Sequence, residues 1–179
     1  MLDAARLRLG LWYSRFHFRK SKDTPREFTD AIRRSQRALV VLPRSAKDPA
    51  SLQGIIRYLV DRFSGGSLLI VASRELTSWL ASDKRYTVVA YGTEDVGRVF
   101  TPGVELLRKV KKSTFDVALD LNPDFDLFSA FVCRASLAPI RVGFVKDNAD
   151  LFYNLQIQVG KGSGVAGAYR GLLRCLEMF

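Results

Sequence analysis

Short, mostly apolar runs alternate with helical patterns along most of this chain. The runs are Ala38–Leu42, Leu68–Ala72, Thr87–Tyr91, Phe115–Leu121, Arg141–Phe144 and Leu151–Val159. Most are too short for buried helices, and strands covered on both faces are apolar without a break. The alternation therefore predicts an α/β fold with an open, mostly parallel sheet and helices on both sides.

The helices between these runs have recognisable starts. Asp48 and Pro49 precede the clearest helical pattern, as an N-cap and a first residue. Asn122 and Pro123 have the same arrangement and predict a second capped helix. The inward positions of the first helix are Leu52, Ile55, Ile56, Leu59, Val60 and Phe63. For the helix after Thr101-Pro102 the pattern predicts an inward face at Val104, Leu107 and Val110.

Positive charge is concentrated at the start of the chain. Residues 1–37 contain ten Lys and Arg against four Asp and Glu, so they carry +6 of the net +10. Apolar residues recur there at helical spacing, at Leu2, Ala5, Leu9, Trp12 and Phe16, and Leu7, Leu11 and Phe18 widen this stripe. We therefore expect a basic amphipathic helical arm over 1–37 and a domain over 38–179.

The arm has two interpretations. It packs on its own domain with its arginines in solvent, or it lies on an anionic membrane surface. On the second interpretation the membrane contacts are Arg6, Arg8, Trp12, Arg15 and Phe16. Nucleic acid is not the expected partner, because no helix-turn-helix, zinc-finger or RNP pattern accompanies the basic charge. Without a signal-peptide pattern, a cytoplasmic protein is predicted, peripheral on the inner membrane face if the arm binds lipid.

Few residues suit metal or nucleophilic chemistry. The only histidine is His17, and the two cysteines, Cys133 and Cys175, have no metal-ligand spacing. The loop after the first strand contains no glycine and cannot form a G-x-G-x-x-G dinucleotide turn. We expect no metal and no cofactor.

Candidate site residues follow the first and fourth predicted strands. Ligands of parallel sheets bind beyond the carboxyl ends of the strands. Asp48 is either a general base for an attacking hydroxyl or a helix cap alone. Asp120 lies at the end of the fourth strand and Asn122 just beyond it, and Arg44 and Lys47 are placed to meet anionic groups of a substrate.

A series of motifs resembles a known enzyme family. A basic helix at 105–112 leads to Phe-Asp-x-x-x-Asp-Leu at 115–121, then Ser-Ala at 129–130 and Ala-Pro-x-Arg-Val-Gly-Phe at 138–144. This order resembles the N-terminal half of glycosyltransferase family 9, the ADP-heptose:lipopolysaccharide heptosyltransferases. Upstream, residues 41–59 are similar to that family's first strand, loop and helix, and the resemblance covers about residues 38–178.

The resemblance implies a single Rossmann-like domain of the GT-B N-terminal type. Such a domain binds the acceptor, here a glycolipid or phosphorylated sugar. Asp48 matches the family's proposed general base, with Lys47 in place of the preceding glycine. The nucleotide-sugar donor is held by a second domain in this family, so we expect transfer to need a partner donor domain. The alternative is a non-catalytic, membrane-associated adaptor on the same scaffold.

Overall fold

The computed structural model describes residues 2–21, 23, 31–78, 80, 84–160 and 162–178. Its sheet contains β1 (Arg37–Val41), β2 (Ser67–Ser73), β3 (Thr87–Tyr91), β4 (Val117–Asp120), β5 (Ile140–Phe144) and β6 (Leu155–Ile157). The strand order is β3-β2-β1-β4-β5-β6, and every neighbouring pair is parallel. The predicted open parallel sheet is therefore confirmed. Part of the expected arm, 22 and 24–30, lies outside the described residues.

Helices cover both faces of this sheet. They are α1 (Leu2–Phe18), α2 (Pro49–Arg62), α3 (Arg74–Thr77), α4 (Val104–Val110), α5 (Leu127–Ala135) and α6 (Gly164–Met178). Side chains of a strand alternate between faces, so Val40 packs with α2 and α6 while Leu39 and Val41 pack with α4 and α5. No helix in the described part of the chain is long and apolar enough to span a bilayer.

The start of α2 agrees with its sequence pattern. Asp48 is the N-cap, Pro49 is the first helical residue, and the Asp48 carboxylate accepts a hydrogen bond of 3.1 Å from the Ser51 backbone N–H. The predicted inward residues Leu52, Ile55 and Leu59 are all buried. The apolar spacing and the capping residue thus identified both the start and the buried face of this helix.

The predicted cap at Asn122 is wrong. The helix begins at Leu127, and its N-cap is Asp126, whose carboxylate accepts from the Ser129 N–H at 3.0 Å. Asn122 is buried, and its Nδ2 donates instead to Asp120 at 2.6 Å. Asn and Asp are equally good caps, so the sequence alone does not choose between Asn122 and Asp126. In the folded protein Lys146 donates to the Asn122 carbonyl oxygen at 2.7 Å, which holds this residue outside the helix.

The predicted inward face of α4 is also wrong in part. The helix begins at Val104, and that side chain is exposed. The inward residues are Leu106 and Val110, four positions apart, whereas Leu107 is half-buried. Val104 is two residues from Leu106, about 200° around the helix, so it lies on the side away from the core.

Helix α1 packs on α5 through the side that carries Leu7, Leu11 and Phe18, which widen the predicted apolar stripe, rather than through the main stripe. Its buried residues are Gly10, Ser14 and Phe18. A Cβ at Gly10 would overlap the Val99 carbonyl oxygen and lie 2.5 Å from Leu127 Cδ2, so the close approach requires glycine. Leu2, Leu9, Trp12 and Phe16, which share the predicted apolar face, are exposed.

Candidate functional site

A cavity of about 170 Å³ lies at the carboxyl ends of β1 and β4. The loop after β1 leads to α2 on one face of the sheet, and the loop after β4 leads to α5 on the other. The diverging loops open a crevice at the point where the strand order reverses. Its walls are residues 43–45 and 47, residues 122–126, and Val165 and Tyr169 of α6. The structure thus brings Arg44, Lys47 and Asn122 of the predicted site together.

Two ion pairs join the walls of this crevice. Arg44 Nε lies 2.6 Å from an oxygen of Asp126, and Lys47 Nζ lies 2.5 Å from an oxygen of Asp124. The side chains of Arg44 and Lys47 are 45% and 64% exposed. The Lys47–Asp124 pair is exposed on both sides and contributes at most about 1 kcal/mol, so an anionic ligand can replace Asp124 at small cost. Asp126 is only 19% exposed, so the pair with Arg44 is the more enclosed of the two.

Arg44 also borders two neighbouring cavities. One lies at the ends of β2 and β3, between residues 73–75 and 91–93. The other lies against α1, between Leu7, Phe100 and Phe125. A side chain placed between three openings can contact different parts of one extended ligand.

Asp120 lies beneath the crevice rather than on its surface. Its carboxylate accepts hydrogen bonds from Asn122 Nδ2 at 2.6 Å, Ser129 Oγ at 3.3 Å and Lys146 Nζ at 3.1 Å, and also from the Tyr153 hydroxyl. The carboxylate is fully enclosed and does not line the cavity. These contacts make Asp120 a positioning residue for the loop at 122–126.

Lys146 is the site residue that the sequence pattern did not reveal. Besides its ion pair with Asp120, its ammonium donates to the backbone oxygens of Asn122 at 2.7 Å and Asp124 at 3.3 Å. Its side chain is 7% exposed. The one available signal was a lysine two residues beyond a buried strand, at the same edge of the sheet as the crevice.

Gly143 makes room for this buried cluster. A Cβ there would lie 2.8 Å from carbon atoms of the Tyr153 ring. Because β5 carries no side chain at this position, Tyr153 packs over the strand and its hydroxyl reaches Asp120. Burial, followed by the charge of Asp120, raises the pKa of Tyr153 well above its ordinary value, so this hydroxyl remains a hydrogen-bond donor.

One tyrosine lines each of two cavities, Tyr169 in the crevice and Tyr91 in the cavity at the ends of β2 and β3. Tyr169 donates its hydroxyl to the Leu121 carbonyl oxygen at 3.0 Å, which ties α6 to the end of β4. Tyr91 lines the cavity at the ends of β2 and β3, and burial raises its pKa to about 12. Burial raises the pKa of Tyr169 as well, so both hydroxyls are neutral at physiological pH.

The candidate general base, Asp48, is engaged at the start of α2. Its two carboxylate oxygens accept from Ser51 Oγ at 2.7 Å and Ser51 N at 3.1 Å. The Ser51 side-chain bond and then the backbone bond lower the pKa of Asp48 below its ordinary value. A lower pKa makes a weaker base, and Asp48 does not line the crevice. These contacts favour the capping interpretation, and the role as general base stays a prediction.

The predicted membrane-contact residues separate into two groups. Arg8, Trp12, Arg15 and Phe16 are exposed on α1. Arg6 instead faces the domain, because its Nε donates to the Arg98 carbonyl oxygen at 2.6 Å and its guanidinium carbon lies 4.5 Å from the Phe100 ring centroid. Arg6 therefore fastens α1 to the 98–100 segment.

Among the described residues, no group of three or more His, Cys, Asp or Glu side chains is placed to hold a metal ion. Cys133 and Cys175 are free and buried. Burial raises the pKa of both thiols, and for Cys133 the charge of Asp120 adds to this effect. A thiol held in its neutral form is a poor nucleophile and a poor metal ligand.

Comparison with known proteins shows the fold but no close relative. No protein-family model matches the chain, and no curated protein matches it. The crystal structure of a glycosyl transferase family 9 protein from Veillonella parvula DSM 2008 has a TM-score of 0.57 at 16% identity, over 80% of this chain and 42% of that one. E. coli heptosyltransferase WaaC with ADP has a TM-score of 0.54 at 14% identity, over 77% of this chain and 46% of that one.

E. coli ADP-heptose lps heptosyltransferase II has the same fold, with a TM-score of 0.51 at 19% identity, over 80% of this chain and 43% of that one. The chain therefore spans less than half the length of each of these structures. The resemblance seen in the motifs at 105–144 is confirmed as a shared fold.

Proposed function

We propose that this chain is an acceptor-binding domain of the GT-B type, related to the family 9 heptosyltransferases. Its ligand is a glycolipid or a phosphorylated sugar, held in the crevice between β1 and β4. The observation that carries the proposal is the position of that crevice at the reversal of strand order, with accessible Arg44 and Lys47 on its wall.

The chemistry of the crevice suits such a ligand. Arg44 and Lys47 supply cationic donors for phosphate oxygens, while Asp124 and Asp126 supply acceptors for sugar hydroxyls. The cavity is smaller than the roughly 300–1,000 Å³ of pockets that enclose a drug-sized ligand. It therefore holds the polar head of a larger molecule and leaves a lipid portion outside.

A titration followed by amide NMR tests the proposal. Four probes are used. The first is heptose-free lipopolysaccharide dispersed in detergent, and the others are glucose 6-phosphate, glucose and inorganic phosphate. We expect the amides of Arg44, Lys47, Asn122 and Asp124 to shift with the phosphorylated sugars and much less with glucose. Phosphate alone reports simple anion binding.

Arg44→Gln and Arg85→Gln form a matched pair of variants. Arg85 pairs with Asp61 at 2.8 Å and is 49% exposed, close to the exposure of Arg44, but it precedes β3 at the opposite edge of the sheet. We expect Arg44→Gln to weaken lipopolysaccharide binding by about tenfold, the size of one charge-assisted contact. Equal binding by both variants, or no binding by the wild type, would overturn the proposal.

Asp48 distinguishes an active transferase from a non-catalytic adaptor. Transfer from ADP-heptose needs a donor-binding domain, carried by this or another polypeptide. In such an assembly, loss of a general base lowers turnover by about 10²- to 10⁴-fold. Asp48→Asn should therefore lower turnover by a factor in this range and leave acceptor binding unchanged. Unchanged turnover assigns Asp48 to capping alone. If the chain binds the acceptor but no donor-binding domain combined with it gives transfer, the non-catalytic adaptor is favoured. The Asp48 carboxylate supports this alternative, because Ser51 already occupies both of its oxygens.

A further inference from the structure

Large apolar side chains are exposed together on one side of α1. The described residues contain nine exposed large hydrophobic side chains, and five of them belong to this helix. These five, hereafter the outer face of α1, are Leu2 (78% exposed), Leu9 (58%), Trp12 (67%), Tyr13 (42%) and Phe16 (53%). The other four belong to other elements, because Val104 begins α4, Leu137 and Val145 lie on either side of β5, and Met178 ends α6. A continuous exposed apolar patch is characteristic of an interaction surface.

Most of the outer face lies opposite the packed side of the helix, and Tyr13 lies at its margin, where its ring stacks on Phe131 of α5 with the centroids 6.1 Å apart. A helical turn of 3.6 residues places its side chains within an arc of about 100°, while Gly10, Ser14 and Phe18 occupy the other side. Gly10 and Phe18 contact the domain directly, and Arg6 adds a hydrogen bond to the Arg98 carbonyl oxygen. The domain therefore holds the outer face toward solvent, and little conformational order has to be gained on binding.

Cations follow one margin of the outer face. By helical geometry, Arg8 and Arg15 project beside Trp12, and the Arg19 guanidinium carbon lies 4.0 Å from the Phe16 ring centroid. Lys20 follows at the end of the helix. Helix α1 contains one acidic residue, Asp3, and it forms an ion pair with Arg6. The surface is thus apolar at its centre and positively charged at its edge.

We propose that the outer face of α1 docks on the surface of an anionic lipid bilayer. Tryptophan and tyrosine rings prefer the headgroup level, and flanking arginines are attracted to anionic lipid. A protein partner would require a matching apolar surface with acidic residues around it, whereas a bilayer supplies both properties everywhere. The proposal does not rest on the proposed sugar binding.

The position of α1 gives this docking a consequence. Asp3, Ala4 and Leu7 of the same helix line the cavity that adjoins Arg44. A protein bound through the outer face would therefore hold this opening close to the bilayer.

Vesicle sedimentation with full-length protein tests the proposal. The vesicles are phosphatidylcholine alone and phosphatidylcholine with one-third phosphatidylglycerol. We expect binding to the mixed vesicles, weaker binding at 0.5 M salt, and little binding to phosphatidylcholine alone. In a Trp79→Phe background, Trp12 is the only tryptophan, and its emission should shift to shorter wavelength on binding.

Two variant pairs separate the apolar and charged contributions. Trp12→Ser with Phe16→Ser should lower the affinity at least tenfold, whereas Met178→Ser, on the opposite side of the sheet, should not change it. Arg8→Gln with Arg15→Gln should lower it about 30-fold, because each arginine near an anionic surface contributes a factor of about five. Arg170→Gln with Arg174→Gln, exposed on α6, makes the same charge change and serves as the control.

Three results would overturn this proposal. One is the absence of binding to anionic vesicles, and another is equal weakening by the α1 and α6 variants. The third is a concentration-dependent dimer, seen by light scattering, that disappears with Trp12→Ser and Phe16→Ser, since it would assign the outer face to a second copy of this chain.

Discussion

Lys146 and Asp120 form an ion pair inside the protein, with Nζ 3.1 Å from Oδ2 and side chains 7% and 0% exposed. The pair links the segment after β5 to the end of β4. Lys146 also donates to the backbone oxygens of Asn122 and Asp124, so the same ammonium holds the crevice loop. The geometry of the crevice therefore depends on a buried charge that does not line it.

Lys146→Met should strongly destabilise the fold. Removing one member of a buried ion pair leaves the other charge without compensation, which costs about 3–5 kcal/mol. Urea unfolding followed by circular dichroism measures this difference. Lys47→Met is the control, because its pair with Asp124 is exposed and contributes at most about 1 kcal/mol. Similar losses in the two variants would show that the Lys146 pair is not the stabilising contact inferred here.

Asp23 should make stability depend on acid pH. Burial acts to raise its pKa, but hydrogen bonds from Arg134 and Arg141 and their positive charge outweigh burial and hold the pKa below the ordinary 3.8. A carboxyl whose pKa is lower in the folded state stabilises the fold above its unfolded pKa. That contribution is lost as pH falls through the folded value. Wild-type stability should therefore fall more than that of Asp23→Asn between about pH 5 and pH 2.

At neutral pH the same Asp23→Asn change should cost about 1–2 kcal/mol. This is less than for a fully buried pair because the Asp23 carboxyl is 43% exposed, although both arginines are buried. Asp61→Asn disrupts an exposed pair with Arg85 and should cost less. Identical pH profiles for wild type and Asp23→Asn, measured by urea unfolding, would contradict the assignment.

Alanine at two helical glycines should have opposite effects. Gly10→Ala places a methyl group into the Val99 carbonyl and Leu127, and such overpacking costs about 1–3 kcal/mol. Gly54 in α2 has open space around the added Cβ, so Gly54→Ala should stabilise by about 0.5–1 kcal/mol through helix propensity. Thermal unfolding of both variants gives the signs. Stabilisation by Gly10→Ala would show that α1 does not approach the domain this closely.

The two cysteines should differ in reactivity. Cys133 is fully buried, whereas Cys175 is 8% exposed on α6, and burial raises the pKa of both thiols. Maleimide labelling followed by mass spectrometry should modify Cys175 first, with Cys133 reacting only as the protein unfolds. Faster labelling of Cys133 would mean that α5 opens locally.

The repeating pattern of apolar runs determined the class of this fold. Five- to seven-residue apolar segments such as 38–42 and 68–72 are insoluble as isolated strands, and a sheet covered on both faces is the arrangement that buries them. Asp48 and Pro49 likewise identified the start of α2, because a cap and its helix are adjacent in sequence and interact locally.

The tertiary structure decided which residues face the crevice and which support it. Asp120 ends β4 and Asn122 follows it, yet only Asn122 lines the cavity, because Lys146 and Tyr153 arrive from distant parts of the chain and enclose Asp120. The side of α1 that packs on the domain was decided in the same way. Its apolar residues lie on both sides of the helix, and the surface offered by Val99 and Leu127 admitted the side that carries Gly10 together with Leu7, Leu11 and Phe18. Local patterns depend on neighbours in sequence, whereas burial depends on the shape and charge of surfaces that meet only after folding.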